Sequence, residues 1–307
     1  MFQPHQKKRK KEENYEPIQY WNPAETPKSY YEQPSLIQSM ERKQSTILDI
    51  RNANNWCKAI LIQEVIHYWK TSTDFQNDRK VQVMDWACGK GGDLLKWNKV
   101  SKSLTMEYWG FDISESSIQD AIKRYEKAKC SFRGFFFPQN LSESIPSPVL
   151  QGGPGQGHFH LISCQFALQY IPDLKHFFSM ANHFLESGGY LFGIMTNGDR
   201  IKEDSFNDLY SVSRHPSDNK QIIFSLKEAV DKVPEYIYTK QDLQTVAASC
   251  NLELCVWLPV PDFIDHYKGI YRKTYDEKVN FISSDCKDVL KLYNIFIFRK
   301  DVEEYKP

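Results

Sequence analysis

The stretch Val81-Gln82-Val83-Met84-Asp85-Trp86-Ala87-Cys88-Gly89-Lys90-Gly91-Gly92-Asp93-Leu94-Leu95-Lys96-Trp97 decides the fold. It opens as a short apolar run, breaks on glycines at 89, 91 and 92, and resumes in a helical pattern. That order predicts a strand, a tight turn and a helix. Glycine in such a turn supplies positive φ and lets the backbone approach a ligand at the carboxyl end of a parallel strand.

Upstream, Trp56, Ile60, Leu61, Val65, Ile66 and Trp69 recur at three- and four-residue spacing, which predicts an amphipathic helix over 52–70. Downstream, strands are predicted at 107–111, 132–137, 159–163, 190–195, 252–257 and 293–298. Helices are predicted at 114–129, 172–185 and 240–250, the second leading through Gly188-Gly189 into its strand. Strands alternating with helices at this spacing imply an α/β, Rossmann-like fold, with a mostly parallel seven-stranded sheet covered by helices on both faces. Residues 197–238 contain Gln221-Ile222-Ile223-Phe224-Ser225 and are expected to form a small inserted antiparallel extension or lid. The stretch between the last two strands is poorly patterned.

Residues 1–45 read as a disordered polar arm ahead of a single domain over 46–307. The arm's run Lys7-Lys8-Arg9-Lys10-Lys11 suits a nuclear address or a phosphate-binding tail, and equally a solvated charge run. The segment Gln151-Gly152-Gly153-Pro154-Gly155-Gln156-Gly157 reads as a flexible insertion.

Thirty-nine basic residues balance thirty-nine acidic ones, so contact with a nucleic acid must come from a local cluster. The seven cysteines are scattered and contain no C-x-x-C pair, which argues against a disulfide framework and a zinc site. No apolar run approaches the length of a membrane helix. A protein of the reducing intracellular compartments, without metal or membrane association, is expected.

The glycine turn lacks the G-x-G-x-x-G spacing of dinucleotide sites and the G-x-x-x-x-G-K-S/T of triphosphate sites. Asp85 and Asp93 flank it with charge that would repel a pyrophosphate and suits the sulfonium and ammonium of S-adenosylmethionine. Asp112 ends the next strand, where a carboxylate can accept both hydroxyls of a ribose. Asp93 would also favour the dipole of the helix it opens.

Four separated segments then narrow the reading: Ile50-Arg51-Asn52-Ala53-Asn54-Asn55-Trp56-Cys57-Lys58, the glycine turn through Trp97, Ser163-Cys164-Gln165-Phe166-Ala167-Leu168-Gln169-Tyr170, and Val233-Pro234-Glu235-Tyr236. In this order they resemble the motif set of the eukaryotic mRNA cap guanine-N7 methyltransferases, a class I S-adenosylmethionine-dependent group. The resemblance implies methyl transfer to N7 of the terminal guanosine of GpppN-RNA, in the nucleus. It implies that Lys58, Ala87, Gly89, Asp93, Asp112, Asn140 and Gln165 hold the cofactor. Asn54, Lys90, Arg124, Phe166, Gln169, Tyr170, Glu235 and Tyr293 would surround the cap.

These residue types suit the chemistry. Guanine N7 already carries its lone pair, so neither a general base nor a metal is required, and Glu235, Tyr170 and Phe166 would act by positioning. Glu235 could accept from guanine N1 and N2, Phe166 and Tyr170 could face the base, and Lys90 and Arg124 could neutralise the triphosphate. Without the resemblance, Phe166 and Tyr170 read as core aromatics, Arg124 as one of an exposed helix ion pair, Glu235 as a solvated loop residue and Tyr293 as a rim residue.

Three positions depart from the family pattern: Gln169 stands where histidine is usual, and Asn140 and His160 where aspartate is usual. They leave open a relative with another acceptor or a weakly active cap-binding one, and a non-catalytic RNA adaptor acting through the basic arm is the contrasting class. No Lys-x-Asp-Gly guanylyltransferase motif occurs, so a separate guanylyltransferase or triphosphatase, or the transcription machinery, is the expected protein partner.

Overall fold

The computed structural model describes residues 45–72, 80–143, 157–201 and 204–301. The basic arm and nearly all of the 151–157 insertion lie outside these residues.

Strands β1 (Val81–Trp86), β2 (Met106–Asp112), β3 (Arg133–Pro138), β4 (Phe159–Gln165) and β5 (Leu185–Thr196) pair in parallel in the order β5-β4-β1-β2-β3. β2 and β4 are buried along their whole length, as expected of parallel strands covered on both faces. β10 (Leu252–Pro259) and β11 (Tyr293–Lys300) extend the β5 edge through antiparallel pairing, completing seven strands. β1 therefore lies where the chain order reverses, the position at which open α/β sheets bind ligands beyond their carboxyl ends.

One sheet face packs against α1 (Leu48–Ser72), α2 (Leu94–Val100) and α3 (Glu115–Ala128). The other packs against α4 (Leu174–Phe184) and α5 (Lys240–Ala248). Trp97 fills the first face between Tyr108 and Phe192, 6.3 Å from each ring. A fully buried phenylalanine such as Phe192 contributes about 1.5–3 kcal/mol of burial. Local signals bound the helices: Ser114 and Asp173 cap α3 and α4 through side-chain acceptors, and Thr239 with Asp242 forms a capping box on α5.

Between β5 and α5 the chain forms a separate antiparallel sheet, β6 (Ser205–Phe206), β7 (Tyr210–Arg214), β8 (Gln221–Leu226) and β9 (Val230–Tyr236). Its alternating burial in β8 turns one face toward the body of the protein.

Three readings of the sequence are corrected. The poorly patterned stretch before β11 holds α6 (Val260–Ile270), α7 (Arg272–Lys278) and α8 (Ser284–Leu290); Val260, Phe263 and Ile264 in α6 and Cys286, Val289 and Leu290 in α8 are buried at i, i+3, i+4, a helical spacing the sequence reading passed over, whereas α7 buries none. Gly188 and Gly189 lie inside β5, which begins directly after α4, rather than in a loop between them. Glu235 lies in strand β9 opposite Ile222, and it is 1% exposed rather than solvated.

His160 sits at the amino end of β4, away from the ligand edge. Its Nδ1 accepts from the Gln82 amide at 2.8 Å and its ring meets Trp69 edge-on at 4.8 Å, so this departure from the family pattern serves the base of the sheet. Among the described residues no helix is long and apolar enough to cross a membrane, and no cluster of three His, Cys, Asp or Glu could hold a metal ion.

Gly193 lies at the centre of the sheet between Cys164 and Phe296, and an added Cβ would fall 1.7 Å from the Cys164 carbonyl oxygen. Gly193→Ala should therefore part β4 from β5 and lower stability by at least about 3 kcal/mol in urea titration. An unchanged midpoint would contradict this packing.

Candidate active site

At the end of β1 the chain turns through left-handed conformations at Ala87, Gly89 and Gly91. The Asp112 carboxylate, from the end of β2, fixes this turn. Its Oδ2 accepts from the Gly89 amide at 2.8 Å and its Oδ1 from the Ser114 amide at 2.9 Å. Burial raises the Asp112 pKa against these two bonds. A Cβ built on Gly89 would meet nothing within 4 Å, so the turn faces open space, whereas one on Gly91 would strike Leu94 at 2.6 Å. The first glycine thus borders open space and the second packs the turn onto its helix.

Asp93 occupies the N-cap position of α2 but its side chain caps nothing. Instead it is bracketed by Lys58 at 2.8 Å and Lys96 at 2.6 Å. Burial alone would raise its pKa, yet the two ammonium groups hold it below the ordinary carboxylate range. Asp85, 2% exposed, accepts from the Tyr108 hydroxyl at 2.7 Å. Burial and the nearby Asp93 charge push its pKa up to about 7, against the opposing effects of Tyr108, Lys58 and Ser163. The acidic flanks of the turn are thus largely neutralised from within, so the sequence argument from bare negative charge has to be tempered. Lys58 is engaged with Asp93, and Lys96, unremarked in the sequence, shares that task.

Gln165 ends β4, with its Nε2 donating to Ser163 Oγ at 3.2 Å and its buried Oε1 lacking a partner. Phe166, next in the chain, has φ of 58°, so the neighbouring strands β1 and β4 are both followed by left-handed residues. The Asn140 side-chain oxygen accepts from the Ser142 amide at 2.9 Å, which commits one of its lone pairs to its own loop.

A cavity of about 300 Å³ opens between α1, the 3₁₀ turn Leu168–Tyr170, β11 and the smaller sheet. Asn54, Phe166, Gln169, Tyr170, Glu235 and Tyr293 all line it. Phe166 meets Tyr293 edge-on at 5.1 Å, and with Tyr170 and Phe224 they give the wall an aromatic part beside its aliphatic one. Glu235 is held by two hydroxyls: Tyr170 donates to Oε1 at 2.8 Å and Thr196 to Oε2 at 2.7 Å. Burial raises its pKa, while the bonds from Thr196, Tyr170 and Gln169 favour the charged form. The buried oxygens Gln169 Oε1 and Asn54 Oδ1 lack partners. The cavity therefore presents acceptors, and a ligand that fills it must bring N–H or O–H donors.

Lys90 and Arg124 are not among the lining residues. Lys90 pairs with Asp120 of α3 at 3.3 Å, and an Arg124 guanidinium nitrogen lies 4.0 Å from where a Cβ on Gly92 would stand. Both flank the α3 side of the glycine turn.

The roof of the cavity joins two distant segments. Thr46 donates from its amide and hydroxyl to Glu228 Oε1 at 3.0 and 2.7 Å, and Arg51 donates to the Glu228 carbonyl at 2.9 Å. Bonds from Ser45 and Thr46 hold the Glu228 carboxyl down at about 2. Lys96, Thr196 and Glu228 were not singled out from the sequence. Only Lys96, three residues after Asp93 on a helix, carried a local signal.

Comparison with known proteins follows the same lines. The mRNA (guanine-N(7))-methyltransferase domain pattern matches residues 19–301. An mRNA cap guanine-N(7) methyltransferase of Schizosaccharomyces pombe is 30% identical over 271 residues, covering 81% of this chain and 72% of that protein. A counterpart from Oryza sativa subsp. japonica is 28% identical over 304 residues, covering 85% and 77%. Among solved structures, an S-adenosylmethionine-dependent methyltransferase from Clostridium acetobutylicum aligns with a TM-score of 0.50 at 14% identity, covering 80% of this chain and 91% of that one. That likeness speaks to the fold.

A carboxylate whose folded pKa exceeds its unfolded value binds more protons when folded, so its contribution to stability falls as pH rises from about 4 to about 7. Asp85→Asn removes that loss while keeping an acceptor for Tyr108. The cofactor-free variant should melt at least about 3 °C higher than the parent at pH 8, with a smaller gain at pH 5. A gain independent of pH in calorimetry would contradict the buried-charge account.

Proposed function

The chain belongs to the mRNA (guanine-N(7))-methyltransferase family, which methylates N7 of the guanosine cap with S-adenosylmethionine as donor, and on this premise we propose how its own residues hold donor and acceptor. The observation that carries the assignment is the buried Glu235 carboxylate, held by two hydroxyls and set in an acceptor-lined cavity with aromatic walls.

The cradle suits the donor. Open space over Gly89, the Asp112 carboxylate with one amide on each oxygen, and the unpartnered Gln165 Oε1 together fit a ribose and an amine-bearing ligand. When bound, S-adenosylmethionine supplies an electrophilic methyl group on a sulfonium. Asp112 accepts from the ribose hydroxyls through its remaining lone pairs. Asp93, with Lys58 and Lys96 fixing its position, and Gln165 orient the amino-acid end, while Ala87 and Gly89 contribute backbone. Asn140 keeps one lone pair for the adenine.

On the acceptor side, Glu235 takes the guanine N1 and N2 donors, and Gln169 Oε1 and Asn54 Oδ1 provide further acceptors. Phe166, Tyr170 and Tyr293 hold the base by apolar contact. Guanine N7 attacks through its own lone pair, so no residue has to remove a proton beforehand. Positive charge spreads into the ring as the new bond forms, and the Glu235 carboxylate opposes it in a dry site where such stabilisation is strong. Lys90 and Arg124, beside the glycine turn, neutralise the triphosphate; Lys90 leaves Asp120 to do so, an exchange of one partly exposed pair for another. Because the substrate is the 5′ end of new transcripts, we assign the nucleus as the site of action, with the guanosine added by a separate capping protein.

Purified protein with labelled S-adenosylmethionine should label GpppG-capped RNA, with the label recovered on guanine N7 after nuclease digestion. Transfer to ribose or to protein in its place would overturn the acceptor assignment. Glu235→Ala should lower cap methylation at least about 100-fold, with cofactor affinity by calorimetry within about twofold of the parent. Loss of both would make Glu235 a structural residue.

A further inference from the structure

We propose that Thr196 is a positioning residue for cap recognition: its hydroxyl grips the Glu235 carboxylate from behind and turns the remaining lone pairs toward the guanine edge. The proposal rests on the assignment of Glu235 to the guanine.

Thr196 ends β5 and is paired across the seven-stranded sheet with Tyr293 of β11, whereas Glu235 belongs to the smaller sheet. The 2.7 Å bond between them therefore crosses from one sheet to the other at the wall of the cavity. Both side chains are buried, Thr196 at 2% and Glu235 at 1% exposure. Thr196 does not line the cavity, while Glu235 and Tyr170 do. The threonine thus reaches the carboxylate from the side a ligand does not occupy.

The count of lone pairs gives this placement its consequence. A carboxylate has about four acceptor positions on its two oxygens. Tyr170 uses one on Oε1 and Thr196 one on Oε2, and Gln169 bears on the same carboxylate, so a ligand meets the positions that these donors leave. A guanine presents two adjacent donors, N1–H and N2–H, and a carboxylate whose oxygens are both held in place can accept from that edge. Without Thr196, Oε2 loses its fixed donor and the terminal Glu235 torsion is held from the side of the 3₁₀ turn alone.

The charge state follows from the same contacts. Groups facing Glu235 are Gln169 and Tyr170 from the 3₁₀ turn, Thr196 from β5, Tyr293 from β11, and Asn54 and Arg51 from α1. Arg51 is the other charged residue among those lining the cavity, and it is engaged by Ser45 and the Glu228 carbonyl. Burial disfavours the Glu235 carboxylate, and the hydroxyl donors offset that cost. Removing one donor without changing the shape leaves the proton harder to remove.

Thr196→Val, Thr196→Ser and Glu235→Gln test this on the full chain with GpppG-capped RNA. Thr196→Val should raise KM for capped RNA at least about tenfold, move the acidic limb of kcat/KM to higher pH, and leave cofactor affinity by calorimetry within about twofold. Thr196→Ser should return KM and the limb to within about threefold of the parent. Parental KM and limb in Thr196→Val overturn the proposal. So does a loss of cofactor affinity that serine does not rescue, because that marks a structural defect. Parental methylation by Glu235→Gln overturns the assignment of Glu235 itself; strong loss there with a silent Thr196→Val overturns the role of Thr196 alone.

Discussion

The hydrogen bond from the Gly89 amide to Asp112 joins the carboxyl ends of two neighbouring parallel strands, and the site is organised around it. β1 and β2 run side by side from Val81 and Met106, so their ends arrive together at the place where the strand order reverses. The carboxylate fixes the turn together with the Cys88 amide, which donates to the Phe111 carbonyl at 2.9 Å. It also places a buried acceptor beside an open space, and that conjunction makes a ligand cradle out of a loop.

Electrostatics at the cradle are settled by neighbours more than by composition. Asp93 is ionised because Lys58 and Lys96 bracket it, and Asp85 is held toward its protonated form because it is buried beside Asp93. Lys58 comes from α1 and Lys96 from α2, so the pairing also staples the first helix to the turn.

The second pocket arises where two sheets meet. The seven-stranded sheet contributes Tyr293 to the wall and Thr196 behind it, the four-stranded one contributes Glu235, and α1 contributes Asn54. The bonds among Thr46, Arg51 and Glu228 draw the start of α1 over the turn between β8 and β9, closing the roof. Such a pocket needs every contributor in place, and two of its buried oxygens, Asn54 Oδ1 and Gln169 Oε1, have no partner within the protein.

The sequence by itself determined the order of strands and helices, the glycine turn, and Asp112 at the end of β2, because burial on both faces and backbone conformation write local patterns. The resemblance brought Asn54, Lys90, Arg124, Phe166, Gln169, Tyr170, Glu235 and Tyr293 into one set, and the fold gathers six of them around one cavity while Lys90 and Arg124 stand outside it, beside the glycine turn. Tertiary structure alone decided that Glu235 is buried in a strand, since β9 acquires its environment only by pairing with β8 and packing on the main sheet. It also decided which groups Lys58 and Lys90 meet, and that Thr196 reaches Glu235. Hydrogen bonds between residues 39 positions apart, on different sheets, have no period to leave in the chain. Of the three helices before β11, α7 buries no residue and leaves no apolar face to read, whereas α6 and α8 do carry apolar residues at helical spacing.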